Sequence, residues 1–319
     1  MTLSSITSSV LGAWFKAPAS KLDELFLEAQ RITDHTFKRQ ITLYKPGSAF
    51  PSISITGKQC QLRCQHCSGH FLEHMHAITR PQDLLHFCQQ LAEEGGIGCL
   101  ISGGCGSDGT LPLDPFLPVL SEIKQTTNLI LNVHTGFLNR TQASQLAQTG
   151  IDCASVDVVG NDTTIHTIYG LTNRSTLEYA ITLEALKTMK IPVAPHICVG
   201  LHHGRLLGEL NALQMIHSIV KPKLLVIIAF MPTQGTPMVN DPPARPTDVA
   251  KVCALARLLF PKSEIALGCM RPRGAIREKM EELAIRAGAT RLVQPTKASL
   301  HYLQQHGYSL KTETACCIV

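Results

Sequence analysis

From Pro51 onward the chain alternates short β-rich apolar runs with amphipathic stretches of helical period, and this rhythm restricts the fold more than any other feature. Eight runs read as strands: 52–56, 99–102, 129–134, 153–158, 193–199, 224–230, 264–268 and 290–293. Helical stretches such as 82–94, 175–190, 247–258 and 275–287 lie between them, with Gly95, Pro192, Pro261 and Gly288 placed to stop them. Strands that alternate with helices build a parallel sheet, because a parallel crossover needs a helix-sized connection. The expected class is α/β, and eight repeats over residues 51–306 fit a closed (β/α)8 TIM-type barrel. A six-repeat open barrel with extra elements is the competing architecture. Residues 1–50 read as an N-terminal helical extension, with Leu22, Leu25, Phe26 and Ala29 at helical spacing. Residues 307–319 read as a polar C-terminal tail that carries Cys316 and Cys317.

Charge and hydropathy narrow the function classes. Twenty-nine Lys and Arg against 24 Asp and Glu leave a formal charge of only +5, and no basic run or basic–aromatic repeat occurs. Nucleic acid is therefore not an expected partner. The longest apolar runs, such as 224–231, fall far short of a membrane span, and no basic residue precedes the mildly apolar N-terminus. Twelve cysteines without a secretory pattern suit a reducing compartment, so a cytoplasmic location is expected.

Three of those cysteines follow the first strand in GKQCQLRCQHCSGH, where Cys60, Cys64 and Cys67 have the spacing C-x3-C-x2-C. Thiolates are soft ligands, and three on one short loop can hold an iron–sulfur cubane with one iron left open. A zinc ribbon needs two separated pairs and fills all four positions. Zinc and inert buried thiols are the competing readings.

This segment resembles the cluster loop of the radical S-adenosylmethionine (SAM) superfamily, where the same spacing follows the first barrel strand. The resemblance implies a 4Fe–4S cluster on Cys60, Cys64 and Cys67 whose open iron is chelated by SAM. It also implies reductive cleavage of SAM to a 5′-deoxyadenosyl radical, with the electron coming from a donor protein. Further segments carry the likeness. His66 stands where the family has an aromatic residue near the adenine. Ser102, Gly103 and Gly104 resemble the family's glycine-rich motif at the methionine end of SAM, with Cys105 in place of its acidic residue. Ser155 and Asp157 match positions that hold the ribose hydroxyls, a helix cap being the alternative for Asp157. Gly200 and Met231 lie in segments that resemble the fifth- and sixth-strand motifs beside the adenine.

Strand position sorts the remaining cysteines. Cys88, Cys99, Cys153 and Cys253 read as packing thiols. Cys105, Cys198 and Cys269 fall at strand ends on the expected active face. Cys105, Cys269, Cys316 and Cys317 together supply four thiolates for a second iron–sulfur cluster; without ligands to pin it, the tail is expected to be disordered. A redox dithiol and prenylation of the CCIV ending compete with that reading. His134, His202 and His203 read as neighbours of a substrate or cofactor, or as satisfied polar residues. Arg271 and Arg273 read as a carboxylate clamp or as solvated charges.

Over its whole length the chain resembles the biotin-synthase-like group. HCSGHFLEHM, SGGCGSDGTLPL and the terminal Cys pair resemble segments of the paired lipoyl synthases. That resemblance implies sulfur insertion into an octanoyl chain on an acidic carrier protein, together with a partner radical SAM protein. Biotin-like sulfur insertion, methylation, a maturase-type rearrangement and a non-catalytic iron–sulfur scaffold are the alternatives.

Overall fold

A computed structural model describes residues 7–319; the first six residues of the expected N-terminal extension lie outside them. Eleven strands form one sheet: β1 (Gln40–Tyr44), β2 (Ser52–Ser54), β3 (His76–Ala77), β4 (Gly98–Ser102), β5 (Ile130–His134), β6 (Cys153–Asp157), β7 (Val193–Val199), β8 (Leu224–Ala229), β9 (Glu264–Leu267), β10 (Arg291–Val293) and β11 (Ser309–Glu313). The order is β11-β1-β10-β9-β8-β7-β6-β5-β4-β2-β3, and every pairing is parallel.

All eight expected strands are present as β2 and β4 to β10. The expected closed (β/α)8 barrel is corrected: the sheet curls strongly into a partial barrel and stays open. The reason lies at its ends. β2 is three residues long and pairs on its free side with the two-residue, exposed β3, while β11 occupies the far edge. Neither edge strand reaches the other, and the charged Lys311 on mostly exposed β11 discourages further pairing.

Both chain ends join the sheet, a second departure from expectation. The N-terminal extension does contain helices Ser8–Lys16 and Leu22–Phe37, but it ends in β1, which inserts between β10 and β11. The tail supplies β11, whose five residues pair in register with β1 from Gln40↔Ser309 to Tyr44↔Glu313. The expected disorder of the tail is thereby corrected: a backbone ladder, rather than a ligand, holds it.

Successive strand residues point to opposite faces, and here the two faces differ in chemistry. Ile101, Leu131, Val133, Val156, Ile197, Leu225, Ile227 and Leu267 face outward into the main core against the helices. The inward residues of β5, β6 and β7 include Asn132, His134, Ser155, Asp157 and His196, whereas those of β8 and β9 include Leu224, Val226 and Ala266. The lumen is polar on one side and apolar on the other. On the apolar side Cys317 packs with Tyr44, Cys153, Ala194, Val226, Ala266 and Val293, and Cys316 and Ile318 lie against that group. The tail fills this part of the barrel.

Beneath it, Arg271 and Glu281 form a fully buried ion pair, with Arg271 Nη2 2.6 Å from Glu281 Oε1. Glu281 Oε2 also accepts from the Thr296 N–H at 2.8 Å and the Ser299 hydroxyl at 2.6 Å. Arg271 is thus committed to tying the β9 and β10 ends to two helices. The carboxylate it clamps is internal, which corrects the substrate role considered for it, while Arg273 is exposed.

Candidate metal and cofactor site

The loop after β2 is shaped by its own backbone. The N–H groups of Cys67 and Ser68 both donate to the Cys64 carbonyl, at 3.1 and 2.8 Å, which winds Cys64 and Cys67 into one turn. The donor atoms of Cys64, His66 and Cys67 all lie within 4.8 Å of one another, the one such group of three among the described residues. A hydrogen bond from Cys64 holds the Cys67 thiol well below its ordinary range, and the same bond pushes Cys64 up. Cys60 stands just outside that trio, its Sγ 3.9 Å from the carbonyl oxygen of Cys105.

The end of β4 closes over this loop. The Gly104 N–H donates to Thr56 Oγ1 at 2.6 Å, and the Thr56 hydroxyl donates to the Gln59 carbonyl at 2.9 Å. A Cβ on Gly104 would come within 2.0 Å of the Gln59 oxygen and 2.6 Å of Cys60 Cα, so only glycine permits this approach. The Gln61 N–H completes the seam by donating to the Cys105 carbonyl at 3.0 Å.

Beside the loop lies a cavity of about 150 Å³. It brings together four of the expected residues, Ser102, Gly103, Ser155 and Asp157, along with Cys105 and His134. The Ser155 hydroxyl is fixed by donation to Asn132 Oδ1 at 2.9 Å. The Asp157 side chain is exposed and makes no protein hydrogen bond among the described residues, so its helix-cap alternative finds no support here. Asp157 instead acts on its surroundings. Burial first, then Cys60 and Asp157, push the Cys105 thiol up to about 12. Burial first, then His134, hold His196 down to about 4, so it is neutral at pH 7. Its Nδ1 lies 2.9 Å from the Ala194 carbonyl, which fixes the Nε2 lone pair as the free acceptor.

His66 meets Tyr169 edge to face, with ring centroids 5.4 Å apart, and its buried Nδ1 has no hydrogen-bond partner. An orphaned buried nitrogen beside the Cys64 and Cys67 thiols is what a site built for a bound group leaves unpaired. The donor set fits an iron–sulfur cluster: three soft sulfurs, one of them held acidic, with fewer ligands than a closed zinc site requires.

Gly200 and Met231 do not line this cavity. Gly200, at φ +74°, donates its N–H to Glu209 Oε1 at 2.9 Å, and the Met231 carbonyl accepts from the Thr233 hydroxyl at 3.2 Å. Glu209 is buried with Oε2 unpartnered, and burial pushes its carboxyl up to about 7. His202 and His203 are satisfied polar residues, with Nδ1 atoms 3.2 Å from Thr164 Oγ1 and 2.8 Å from Asp241 Oδ2.

Of the four thiols expected to hold a second cluster, the structure separates one. Cys105 lies with Cys60 and Asp157, while Cys269, Cys316 and Cys317 lie together at the tail. Sequence reasoning missed Thr56, Asn132, Tyr169, Tyr179 and Glu209. Thr56 ends the first expected strand and was within reach of a strand-end argument. The two tyrosines come from a segment without motif, and only the fold brings them to the cavity.

No family model matches the chain. A biotin synthase of Synechococcus elongatus is 26% identical over 259 residues, covering 77% of this chain and 78% of that relative. Methylornithine synthase (PylB) superposes with a TM-score of 0.68 at 16% identity, over 97% of this chain and 95% of its own. The FeFe-hydrogenase maturase HydG from Carboxydothermus hydrogenoformans gives 0.70 at 15% identity, over 96% and 76%. The open, curled parallel sheet is the fold of these solved structures, and in this chain the three-cysteine loop stands at the end of its first barrel strand. In sequence the chain is similar to biotin synthases over 77% of its length. None of these likenesses reaches specifically to the lipoyl synthases. No helix among the described residues is long and apolar enough to cross a membrane.

Proposed function

We propose that this protein is a radical SAM enzyme that takes hydrogen from an unactivated carbon and inserts sulfur into a protein-bound octanoyl chain. The observation that carries the first half is the sealed seam between the Cys60–Cys64–Cys67 loop and the Gly104 turn, with the orphaned His66 nitrogen beside it. When bound there, a 4Fe–4S cluster and SAM supply an electron and a 5′-deoxyadenosyl radical. The chain's own residues bind, orient and exclude water. Cys60, Cys64 and Cys67 would hold the cluster. Backbone groups at Gly103 and Gly104 would meet the methionine end of SAM, and the unpaired Asp157 carboxylate offers two acceptors to ribose hydroxyls. His66 and Tyr169 form an aromatic wall for the adenine. Leu62, Leu111, Phe137 and Leu171 line the same cavity and keep water from a reactive radical.

The sulfur-insertion half is supported by the biotin synthase relatives and by the group of thiols at the tail. The octanoyl chain would arrive on an acidic carrier protein, with a partner radical SAM protein and an electron donor completing the system in the cytoplasm. Biotin-like sulfur insertion is the second reading, favoured by the same relatives. Anaerobic incubation of the reduced, cluster-loaded protein with SAM is expected to release 5′-deoxyadenosine and methionine. Adding octanoylated carrier and the partner protein should then yield carrier-bound sulfur, whereas added dethiobiotin should not be consumed. No SAM cleavage under reduction would sink the enzyme reading in favour of a scaffold.

A further inference from the structure

We infer that Asn132, His134 and His196 form a hydrogen-bonding wall inside the barrel that recognises an uncharged amide of the substrate, its carbonyl and its N–H together. The inference deepens the proposed function and rests on it: the amide is the one that joins the acyl chain to the carrier lysine.

The three side chains occupy adjacent inward positions on neighbouring strands. Asn132 and His134 alternate along β5, His134 pairs in register with Ser155 of β6, and His196 of β7 pairs with Asp157. His134 and His196 meet edge to face, with ring centroids 5.3 Å apart and 72° between the ring planes. His134 also lines the cavity beside the cluster loop, together with Asp157. The wall therefore begins next to the carboxylate proposed for the ribose.

Neighbouring groups set what each side chain offers. His196 is buried, and its Nδ1–H is spent on the Ala194 carbonyl of its own strand at 2.9 Å. Burial, then His134, keeps the ring neutral, so Nε2 is an acceptor only. His134 touches His196 but makes no protein hydrogen bond among the described residues. An imidazole in either charge state keeps at least one N–H to donate. Asn132 is buried as well, and its Oδ1 accepts from the Ser155 hydroxyl at 2.9 Å. That bond orients the Asn132 amide and leaves its Nδ2 group without a protein partner among the described residues. Interior polar groups are nearly always paired in a folded protein, so three neighbours with unused capacity mark a place for a polar ligand.

The chemistry of the ligand follows from the inventory: donors on His134 and Asn132, one acceptor on His196. A secondary amide matches it, because its oxygen accepts and its N–H donates. A carboxylate has no donor for His196, and no lysine or arginine lines the cavity to offset its charge. Arg271 is occupied by Glu281, and Arg291 by the carbonyls of Cys317 and Val319. An ester keeps the carbonyl and loses the N–H, and a bare alkyl chain leaves all three residues unpaired. A cyclic urea presents the same pair of groups as the amide, and the test below separates the two.

The test uses full-length, cluster-loaded protein with SAM, kept free of oxygen. Calorimetry measures the binding of three probes: a peptide carrying octanoylated lysine, the same peptide with an ester oxygen replacing the amide nitrogen, and dethiobiotin, a cyclic urea. Wild type should bind the amide peptide roughly 10- to 100-fold more tightly than the ester, which leaves His196 without a donor. His196→Leu should erase that preference, with iron content and SAM affinity by equilibrium dialysis unchanged. His196→Gln, which keeps an acceptor oxygen, should restore most of it. His134→Phe should weaken amide and ester alike, because both keep the carbonyl. Equal binding of amide and ester by wild type, or a preference that survives His196→Leu, would overturn the inference. Loss of SAM affinity in both His196 variants would also overturn it, by giving the wall to SAM. Binding of dethiobiotin alone, lost in His196→Leu, would remove the octanoyl reading and leave recognition of a carbonyl with its N–H standing. Binding of none of the three by protein that still cleaves SAM would overturn the wall and spare the radical SAM reading.

Discussion

The Cys60–Cys67 loop and the tail thiols gather the same element by opposite routes. In the loop, eight consecutive residues carry all three sulfurs, and hydrogen bonds within the segment bend Cys64 and Cys67 together. At the tail, residues separated by more than a hundred positions meet because the sheet curls and β11 lies down beside β1. A local site survives damage elsewhere in the fold, whereas an assembled site fails with any element that delivers it. The inner wall sharpens the contrast: it is polar around Asp157 and His134 and apolar where the tail packs.

The largest effect should come from the local site. Cys64→Ala is expected to abolish SAM cleavage, read as 5′-deoxyadenosine release, and to remove about four irons. It should leave the thermal transition near that of the wild-type apoprotein, and a large loss of stability would mean that the loop is not locally determined. Next, Arg271→Ala should leave the buried Glu281 with Arg277, 2.9 Å away, as its remaining cation, and cost about 1–3 kcal/mol in chemical denaturation. Because the pair anchors the β9 and β10 ends, tail thiols should become reactive to alkylation in this variant before Cys64 does. Equal exposure of both would erase the proposed difference between the regions.

Glu209 gives a pH test outside both thiol groups. Its folded pKa of about 7 lies above the usual 4.5, so between those values the folded state keeps a proton that the unfolded state has released. Stability should therefore fall as pH rises through that window, by up to about 3 kcal/mol, and level off above it. Comparing urea midpoints of wild type and Glu209→Gln across pH 4.5–7.5 isolates this slope; identical slopes would refute it. Asp157→Asn should weaken SAM binding by about 1.5–3 kcal/mol, roughly 10- to 100-fold in Kd by equilibrium dialysis, without changing iron content. The smallest effect is Tyr44→Phe, which removes one hydrogen bond to Val319 and should cost about 1 kcal/mol, with faster amide exchange confined to the tail.

What the sequence by itself determined is whatever depends on neighbours along the chain. Eight strands were legible as short β-rich apolar runs, and glycine and proline end the helices between them. The cluster loop was legible because its ligands share one turn, and Gly103 and Gly104 because they end a readable strand. Tertiary structure alone decided the rest. Whether the barrel closes depends on the lengths of β2 and β3, three and two residues, against a distant edge. Tyr169 and Tyr179 reach the cavity only through the packing of a segment without motif. Arg271 was readable as a charge, but its partner Glu281 is fixed by a helix that docks ten residues later. Cys105 looked like a tail partner, because strand position reports depth in the barrel but not who stands across the lumen. That is a through-space relation, and it exists only once the tail has folded in.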